Sequence, residues 1–210
     1  MKKCVIITSY IEGDLKELIG DFDSDFILCA DGGYDYASAA GIIPDLLIGD
    51  LDSITVPNDP AIQTLIFPSE KDDTDTGICL QTALDHGYTD ILIIGGLGGR
   101  LDHTMSNIQL ITGKCHLADR ITIRDKSNSC TVITNGSVTL PYIENQYVSI
   151  FSMTEKSDGV TTSGLKYPLN NATMFYGSTL GTSNEVLGDS ATVSVADGRL
   201  LVITSMEGQK

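Results

Sequence analysis

The run LLIGDLDSI, Leu46 to Ile54, places two carboxylates, Asp50 and Asp52, directly after a short apolar segment. Leu46 to Gly49 have the length and character of a strand that is buried on both faces. Two spaced acids where such a strand ends are typical of a site that binds phosphate through a divalent metal. They also suit an aspartate-nucleophile phosphatase or a plain polar turn. The surrounding sequence has to distinguish these three interpretations.

Apolar segments of strand length alternate with helical patterns on both sides of this run. Strands separated by helices of this length indicate βαβ units and a mostly parallel, Rossmann-like sheet. The predicted strands are Lys3–Ile7, Phe26–Ala30, Leu46–Gly49, Gln63–Phe67, Asp90–Ile94 and Arg120–Arg124. The predicted helices are Asp14–Ile19, Tyr34–Ala40, Thr74–His86 and Asp102–Thr112, with Gly87 and Gly113 as stop signals after the last two.

The helical pattern ends after about Lys126, and short β-rich runs follow. Asn135-Gly136 and Asp197-Gly198 separate such runs, and these dipeptides are strong signals for hairpin turns. We therefore predict two domains: an α/β domain with a mostly parallel sheet, residues 1–127, and a small antiparallel β domain, residues 128–210.

Composition narrows the class of protein. The 210 residues carry a formal net charge of −15, which argues against nucleic acid or an anionic membrane as a partner. The five cysteines include no C-x-x-C pair, a usage typical of free thiols in a reducing cytosol. The apolar run Cys4 to Ile7 is too short for a signal peptide or a membrane span. We expect a cytoplasmic location.

Four polar clusters follow four of the predicted strands, and a parallel sheet would bring all four to one edge. Phosphoryl transfer depends on positioning and on charge neutralisation by Mg²⁺, Lys and Arg. Asp50, Asp52 and Asp75 are suitable Mg²⁺ ligands, and Asp31 is a suitable fourth ligand or an orienting group. The clusters are Asp31–Gly33, Asp50–Ser53, Pro68–Asp75 and Gly95–His103.

Each cluster also has a structural interpretation. Asp31 would suit the cap of the helix that begins at Tyr34, and Asp72 or Asp73 would suit the cap of the next helix. Asp75 would then favour the helix dipole. These alternatives remain open at the level of the sequence.

The segment GGLGGR, Gly95 to Arg100, places four glycines between a strand and a helix. Glycine is costly there unless something must approach closely, so we predict an anion cradle of backbone amides with Arg100 beside it. A tight turn is the alternative, and the spacing matches neither the P-loop nor the dinucleotide fingerprint. His103 follows Asp102, and a capping or phosphate role suits it better than a catalytic dyad, because adjacent helical residues point in different directions.

Six segments together closely resemble thiamine pyrophosphokinases of the bacterial type, in that family's order and over nearly the whole chain. The resemblance implies that residues 1–127 are a catalytic ATP-binding domain and that residues 128–210 are a β-sandwich for thiamine binding and dimerisation. It also implies a homodimer with active sites between subunits. The reaction would transfer the diphosphate of ATP to the hydroxyl of thiamine, with Mg²⁺, and give thiamine diphosphate and AMP. The segments are ADGGYDYA (30–37), PDLLIGDLDSI (44–54), EKDDTDT (70–76), GGLGGRLDHTMSNI (95–108), SGLKYPL (163–169) and GTSNE (181–185).

The resemblance also implies roles for individual residues. Ser183 and Asn184 match the thiamine-binding turn, and Tyr167 stands where some members have Trp. The acids of the Mg-nucleotide site, which are also the catalytic residues, would be Asp31, Asp50, Asp52 and Asp75, with the metal on the last three. The nucleotide-binding residues would be Lys71, Asp72, Gly98, Gly99, Arg100, Asp102 and His103.

Two rivals stand beside this assignment. A haloacid-dehalogenase-type phosphatase would use Asp50 as nucleophile and Asp52 as acid/base, but Ile54 stands where its motif requires Thr or Val. A non-catalytic sensor of nucleotide or thiamine would have little need for four converging carboxylates.

Overall fold

The computed structural model describes residues 1–50, 62–68 and 72–207. The chain forms two compact units. The first comprises Met1–Leu110 and Leu117–Lys126, and the second comprises Ile111–His116 and Ser127–Lys210. The short segment Ile111–His116 therefore groups with the second unit, although it precedes the last strand of the first.

The first unit is an α/β unit with a parallel sheet. Its strands are ordered β4-β3-β2-β1-β5-β6, and every pair is parallel. The strands are β1 Lys3–Ile7, β2 Phe26–Ala30, β3 Leu46–Gly49, β4 Gln63–Ile66, β5 Asp90–Ile94 and β6 Arg120–Arg124. The helices are α1 Leu15–Ile19, α2 Gly33–Ala39, α3 Asp75–Asp85 and α4 Leu101–Lys114, the last followed by a 3₁₀ turn, Cys115–Leu117.

The central strands of this sheet are buried on both faces. All residues of β3 and β5 are buried, as expected for parallel strands covered by helices. Val5, Leu47 and Leu92 form one core cluster with Leu15 and Leu18 of α1. This packing fixes the positions of the strand ends and of the residues that directly follow them.

The structure decides between the helix caps that the sequence left open. The N-cap of α2 is Gly32, which makes no side-chain capping bond, so Asp31 does not cap this helix. Thr74 caps α3, and its Oγ1 accepts a hydrogen bond from the Gly77 amide at 3.1 Å. Asp73 instead accepts from the Thr74 amide at 2.8 Å. Neither Asp72 nor Asp73 is therefore the cap.

The second unit is rich in antiparallel strands. These strands pair in the orders β12-β9-β14-β7 and β11-β10-β13-β8. Pairing over the described chain is thus mixed, and the predicted parallel sheet is confined to the first unit. The strands are β7 Asn128–Thr134, β8 Ser137–Pro141, β9 Gln146–Ser152, β10 Lys156–Ser163, β11 Ala172–Phe175, β12 Asn184–Glu185, β13 Ser190–Ser194 and β14 Arg199–Met206.

Both strand sets of this unit contribute to one core. Ile150 and Leu200 from the first set cluster with Val160, Met174 and Val193 from the second. A shared core between two sheets is what a β-sandwich requires.

The two dipeptides that predicted hairpins have another role. β7 pairs with β14 and β8 pairs with β13, so Asn135-Gly136 joins strands of different sets. The Asn135 amide donates to the Gly198 carbonyl at 3.3 Å, and the Gly198 amide donates to Asn135 Oδ1 at 3.0 Å. The two turns lie side by side and bond to each other, because β7 pairs with β14 in one set and β8 pairs with β13 in the other.

In the part of the chain that the structure describes, no helix is long and apolar enough to cross a membrane.

Candidate functional site

Four strand ends meet at one edge of the parallel sheet. Thr8, Asp31, Asp50 and Gly95 are the residues that directly follow β1, β2, β3 and β5. Ligands of such sheets bind outside the carboxyl ends of the strands. This edge is therefore where a site is expected.

Asp31 lies against the last residue of β3. A Cβ on Gly49 would come within 3.0 Å of Asp31 Cβ and 3.1 Å of its Oδ1, so a side chain there would crowd Asp31. Asp31 has a φ of 43°, its amide donates to the Ile48 carbonyl at 2.7 Å, and its carbonyl accepts from Tyr34 at 3.1 Å. These bonds hold the carboxylate beside Gly49, the residue before Asp50. The role predicted for Asp31 beside the acids after β3 remains a prediction.

Asp75 opens α3 directly after its Thr74 cap and is half-buried. An acid in the first turn interacts favourably with the helix dipole. Asp72 is exposed, two residues before the cap. Asp52 and Lys71 lie outside the described residues, so their predicted roles remain predictions.

The glycine loop after β5 is shaped by close contacts with the segment after β1. A Cβ on Gly95 would come within 2.2 Å of the Tyr10 carbonyl oxygen, and a Cβ on Gly99 within 2.9 Å of the Tyr10 ring. The Tyr10 hydroxyl in turn donates to Glu12 at 2.5 Å. Both glycines also have a positive φ. The loop therefore needs glycine because another segment of this chain approaches it.

Most glycine amides of the predicted anion cradle already have hydrogen-bond partners within the chain. The amides of Gly95, Gly96 and Gly98 donate to Arg124 O, Tyr10 O and Thr104 Oγ1, at 2.8, 3.1 and 3.1 Å. Only the Gly99 amide makes no hydrogen bond within the described residues. The Gly98 amide is already bonded to Thr104 at the start of α4, and the nucleotide-binding role predicted for Gly98 remains a prediction.

Arg100 and Asp102 form a bidentate ion pair. Arg100 Nη2 lies 2.6 Å from Asp102 Oδ2, and Nε lies 3.1 Å from Oδ1. This hydrogen bonding from Arg100 lowers the pKa of Asp102 to about 2, with a smaller contribution from the His103 amide, which also donates to Oδ1 at 3.0 Å. The same pair raises the pKa of Arg100. The hydrogen bond from His103 to Asp102 comes from its backbone amide.

Two adjoining pockets lie between the starts of α3 and α4. The larger measures about 410 Å³ and the smaller about 220 Å³, and both are lined by Thr76, His103 and Asn107. The larger is also lined by Thr8, Ser9, Tyr10, Gly96, Gly98, Gly99 and Arg100, and the smaller by Thr74, Asp102 and Ser106.

Sequence reasoning found part of this lining. Gly98, Gly99, Arg100, Asp102 and His103 were predicted, and all five line one pocket or the other. Asp31, Asp50, Asp72 and Asp75 line neither. Tyr10, Thr76 and Asn107 were missed, although Asn107 follows His103 by four residues, the spacing of one helix face. Among the described residues, no group of three or more His, Cys, Asp or Glu is placed to hold a metal.

Ser183 and Asn184 lie in the second unit. Asn184 is buried; its Oδ1 accepts from the Tyr167 amide at 3.0 Å, and its Nδ2 donates to the Tyr167 carbonyl at 2.8 Å. Ser183 is exposed with a φ of 56°. Asn184 thus braces the segment that presents Tyr167, whose side chain is 64% exposed.

A parallel α/β unit with acids and a glycine loop at the strand ends defines a protein of the phosphate-ligand-binding class. Two family models match the chain: Thiamin pyrophosphokinase, catalytic domain, over residues 15–123, and Thiamin pyrophosphokinase, vitamin B1 binding domain, over residues 131–200.

Individual relatives agree with these models. The thiamine pyrophosphokinase of Bacillus subtilis is 37% identical over 174 residues, which cover 80% of this chain and 81% of the relative. The crystal structure of the enzyme from that organism has a TM-score of 0.85 at 33% identity and covers 99% of this chain and 100% of its own. The crystal structure from Geobacillus thermodenitrificans has a TM-score of 0.81 at 31% identity, with 99% of both chains covered. The chain belongs to the thiamin pyrophosphokinase family and is an enzyme of the transferase class.

Proposed function

We propose that this protein transfers the diphosphate group of ATP to the hydroxyl of thiamine, giving thiamine diphosphate and AMP, and that it requires Mg²⁺. The observation that carries the proposal is the match to both family models in sequence order, the catalytic model within residues 15–123 and the vitamin B1 model within residues 131–200. We propose the corresponding domains as residues 1–127 and 128–210, the second a β-sandwich. A cytoplasmic homodimer is part of the same proposal.

The residues at the sheet edge suit Mg²⁺. Mg²⁺ binds in proteins through one or two carboxylates and completes its octahedron with water and phosphate oxygens, so it needs no cage of protein ligands. Asp50 follows a fully buried strand, and the Asp31 amide donates to the carbonyl of Ile48 in that strand at 2.7 Å. We assign Asp50, Asp52 and Asp75 to the metal, with Asp31 as an orienting group. When bound, the ion supplies the charge that neutralises the phosphate oxygens.

The α4 side of the pocket supplies the remaining positive charge. Arg100 lies in the larger pocket, where Asp102 holds its guanidinium in a fixed orientation through two bonds. A fixed guanidinium suits the planar, bidentate recognition of phosphate oxygens. We assign Arg100 and Lys71 to the transferring diphosphate, and Gly99, Asp72, Asp102 and His103 to the surroundings of the nucleotide.

We assign thiamine to the segment around Ser183 and Asn184. Asn184 would act through the Tyr167 segment that it braces, while Ser183 is exposed at a strained backbone position. Non-glycine residues with positive φ are uncommon and often mark binding sites. Tyr167 offers an exposed aromatic ring to the thiamine rings.

The decisive experiment measures products. The protein is incubated with ATP, Mg²⁺ and thiamine, and AMP and thiamine diphosphate are quantified by chromatography. We expect both in equal amounts, and none when the divalent ion is chelated. A phosphatase would give inorganic phosphate and a trapped phospho-Asp50, and a sensor would give no product. Either result would overturn the proposal.

Variants connect the activity to the sheet edge. Asp50→Asn and Asp52→Asn should each lower kcat by about 10²-fold or more, because the metal site loses a charged ligand. Asp119→Asn is a matched control, since Asp119 is exposed just before β6, at the opposite end of the strands. It should keep normal turnover. Near-normal kcat for Asp52→Asn would contradict the metal assignment.

A further inference from the structure

Asn107 of α4 is buried at the point where the two pockets adjoin. Its side chain is only 6% exposed, and it lines both pockets together with Thr76 and His103. His103 precedes it by four residues, so the two side chains share one face of the helix. This position makes Asn107 part of the wall of both pockets.

The orientation of its amide is fixed. Within the described residues, Asn107 Nδ2 donates a hydrogen bond to the Gly96 carbonyl at 2.8 Å. A carbonyl can only accept, so the nitrogen must face Gly96 and the oxygen must face the other way. Glycine at position 96 leaves room for this contact, since a Cβ there would come within 2.6 Å of Nδ2.

Asn107 Oδ1 therefore remains as an acceptor on the pocket side. Within the described residues it accepts no hydrogen bond. An acceptor that lines a cavity without a protein partner is open to a hydrogen bond from a ligand or from water. An amide oxygen attracts N–H and O–H groups and repels phosphate and keto oxygens.

We propose that Asn107 is a specificity-determining residue, whose Oδ1 accepts a hydrogen bond from a donor group of the bound nucleotide, a ribose hydroxyl or the amino group of the base. The inference rests on the proposed function, because it takes the pocket to be the nucleotide site. It places the phosphates at Gly99 and Arg100, away from the amide oxygen. The sugar or the base then lies against α4.

The test uses ligands that lack one donor each. The probes are ATP, 2′-deoxy-ATP, 3′-deoxy-ATP and purine riboside triphosphate, which lacks the amino group of adenine. Binding to the intact protein with Mg²⁺ is measured by calorimetry. For the unmodified protein we expect one analogue to bind about tenfold more weakly than ATP, since one hydrogen bond is lost. Which analogue it is identifies the donor.

The variant Asn107→Leu should weaken ATP and bring the ratio between ATP and that analogue to about one, because the acceptor is gone. Gln109→Leu is the matched control: Gln109 is exposed on the same helix and lines neither pocket, so the ratio should stay about tenfold. If Asn107→Leu fails to fold in a thermal melt, Asn107→Ser takes its place.

Three results would overturn the inference: equal binding of all four nucleotides, a preference that survives in the Asn107 variant, or no binding of ATP. Failure of the proposed function gives a different pattern, in which ATP binds with this discrimination but no thiamine diphosphate forms. The two ideas can thus fail separately.

Discussion

At the scale of single residues, the pairing of Arg100 with Asp102 has more to do with orientation than with stability. Both side chains are largely exposed, 73% and 63%, and exposed ion pairs contribute little to folding. Two parallel bonds nevertheless hold the guanidinium in one plane at the mouth of the larger pocket. An incoming phosphate would meet a cation whose direction is already set, which lowers the entropic cost of binding.

This pairing predicts an unusual titration. The carboxyl of Asp102 should titrate at a pH of about 2, because Arg100 favours its charged form. A lowered folded-state pKa means that the contribution of the pair to stability is present above the ordinary value, 3.8, and is lost as pH falls through about 2. Carboxyl chemical shifts followed by NMR against pH measure it. Arg100→Gln should return the midpoint of the Asp102 titration toward 3.8. Lys16→Gln removes one positive charge from an exposed residue of α1 and should leave that midpoint unchanged. An unchanged midpoint in Arg100→Gln would contradict the assignment.

Single residues also show what sequence could predict about the site. Arg100, Asp102 and His103 belong to one contiguous motif, and the motif locates them without any knowledge of the fold. Tyr10 and Asn107 reach the same pocket from separate elements, and they do so through contacts with Gly99 and Gly96. The glycines signalled that something approaches, but not that a tyrosine ring of the same chain does. The partner of the Gly98 amide is Thr104, six residues further on, and the glycine pattern does not indicate it.

At the scale of elements, the start of α3 carries a helix cap, an acidic residue and a residue of the pocket wall at three consecutive positions. Thr74 caps the helix, Asp75 follows in its first turn, and Thr76 lines both pockets. The sequence located this helix to within a residue at each end, because its apolar positions repeat with helical period. It offered Asp72 or Asp73 as alternatives for the cap and did not single out Thr74, because all three are good capping residues and propensity alone does not rank neighbours.

Removal of the cap should affect stability first. Thr74→Ala should lower the free energy of unfolding by about 1 kcal/mol, since the Gly77 amide loses its acceptor. Thr74→Ser keeps a hydroxyl at the same place and should lie within about 0.5 kcal/mol of the unmodified protein. Urea denaturation followed by circular dichroism gives both values. Equal midpoints for Thr74→Ala and Thr74→Ser would show that the cap contributes nothing.

At the scale of the whole molecule, the two units differ in how far sequence determined them. The alternation of strands and helices fixed the first unit, where every predicted strand is present with its parallel neighbours. In the second unit the strands were located, but their partners were not, because Asn135-Gly136 signals a turn and not the sheet to which the chain goes next. The bonds between that turn and Gly198 depend on residues more than sixty positions apart, with the Asn135–Gly198 pair separated by 63.

The five cysteines allow the opening of each unit to be measured separately. All are buried free thiols: Cys4, Cys29 and Cys79 lie in the first unit, and Cys115 and Cys130 lie in the second. Burial raises the pKa of Cys29 to about 12 and also raises that of Cys4, so neither carries a reactive thiolate near neutral pH. Labelling by a thiol reagent must therefore wait for local or global opening.

Nucleotide should consequently slow the labelling of cysteines in the first unit more than that of cysteines in the second. With Mg-ATP at about 100 times its Kd, opening of a unit that binds it becomes unfavourable by about 2.7 kcal/mol, which slows labelling about 100-fold. We expect this slowing at Cys4, Cys29 and Cys79 and a smaller one at Cys115 and Cys130, because each unit has its own core. Mass spectrometry of peptides after timed labelling measures all five, and Mg²⁺ without nucleotide is the control. Equal slowing at every cysteine would show that the units open together, and no slowing in the first unit would place the nucleotide elsewhere.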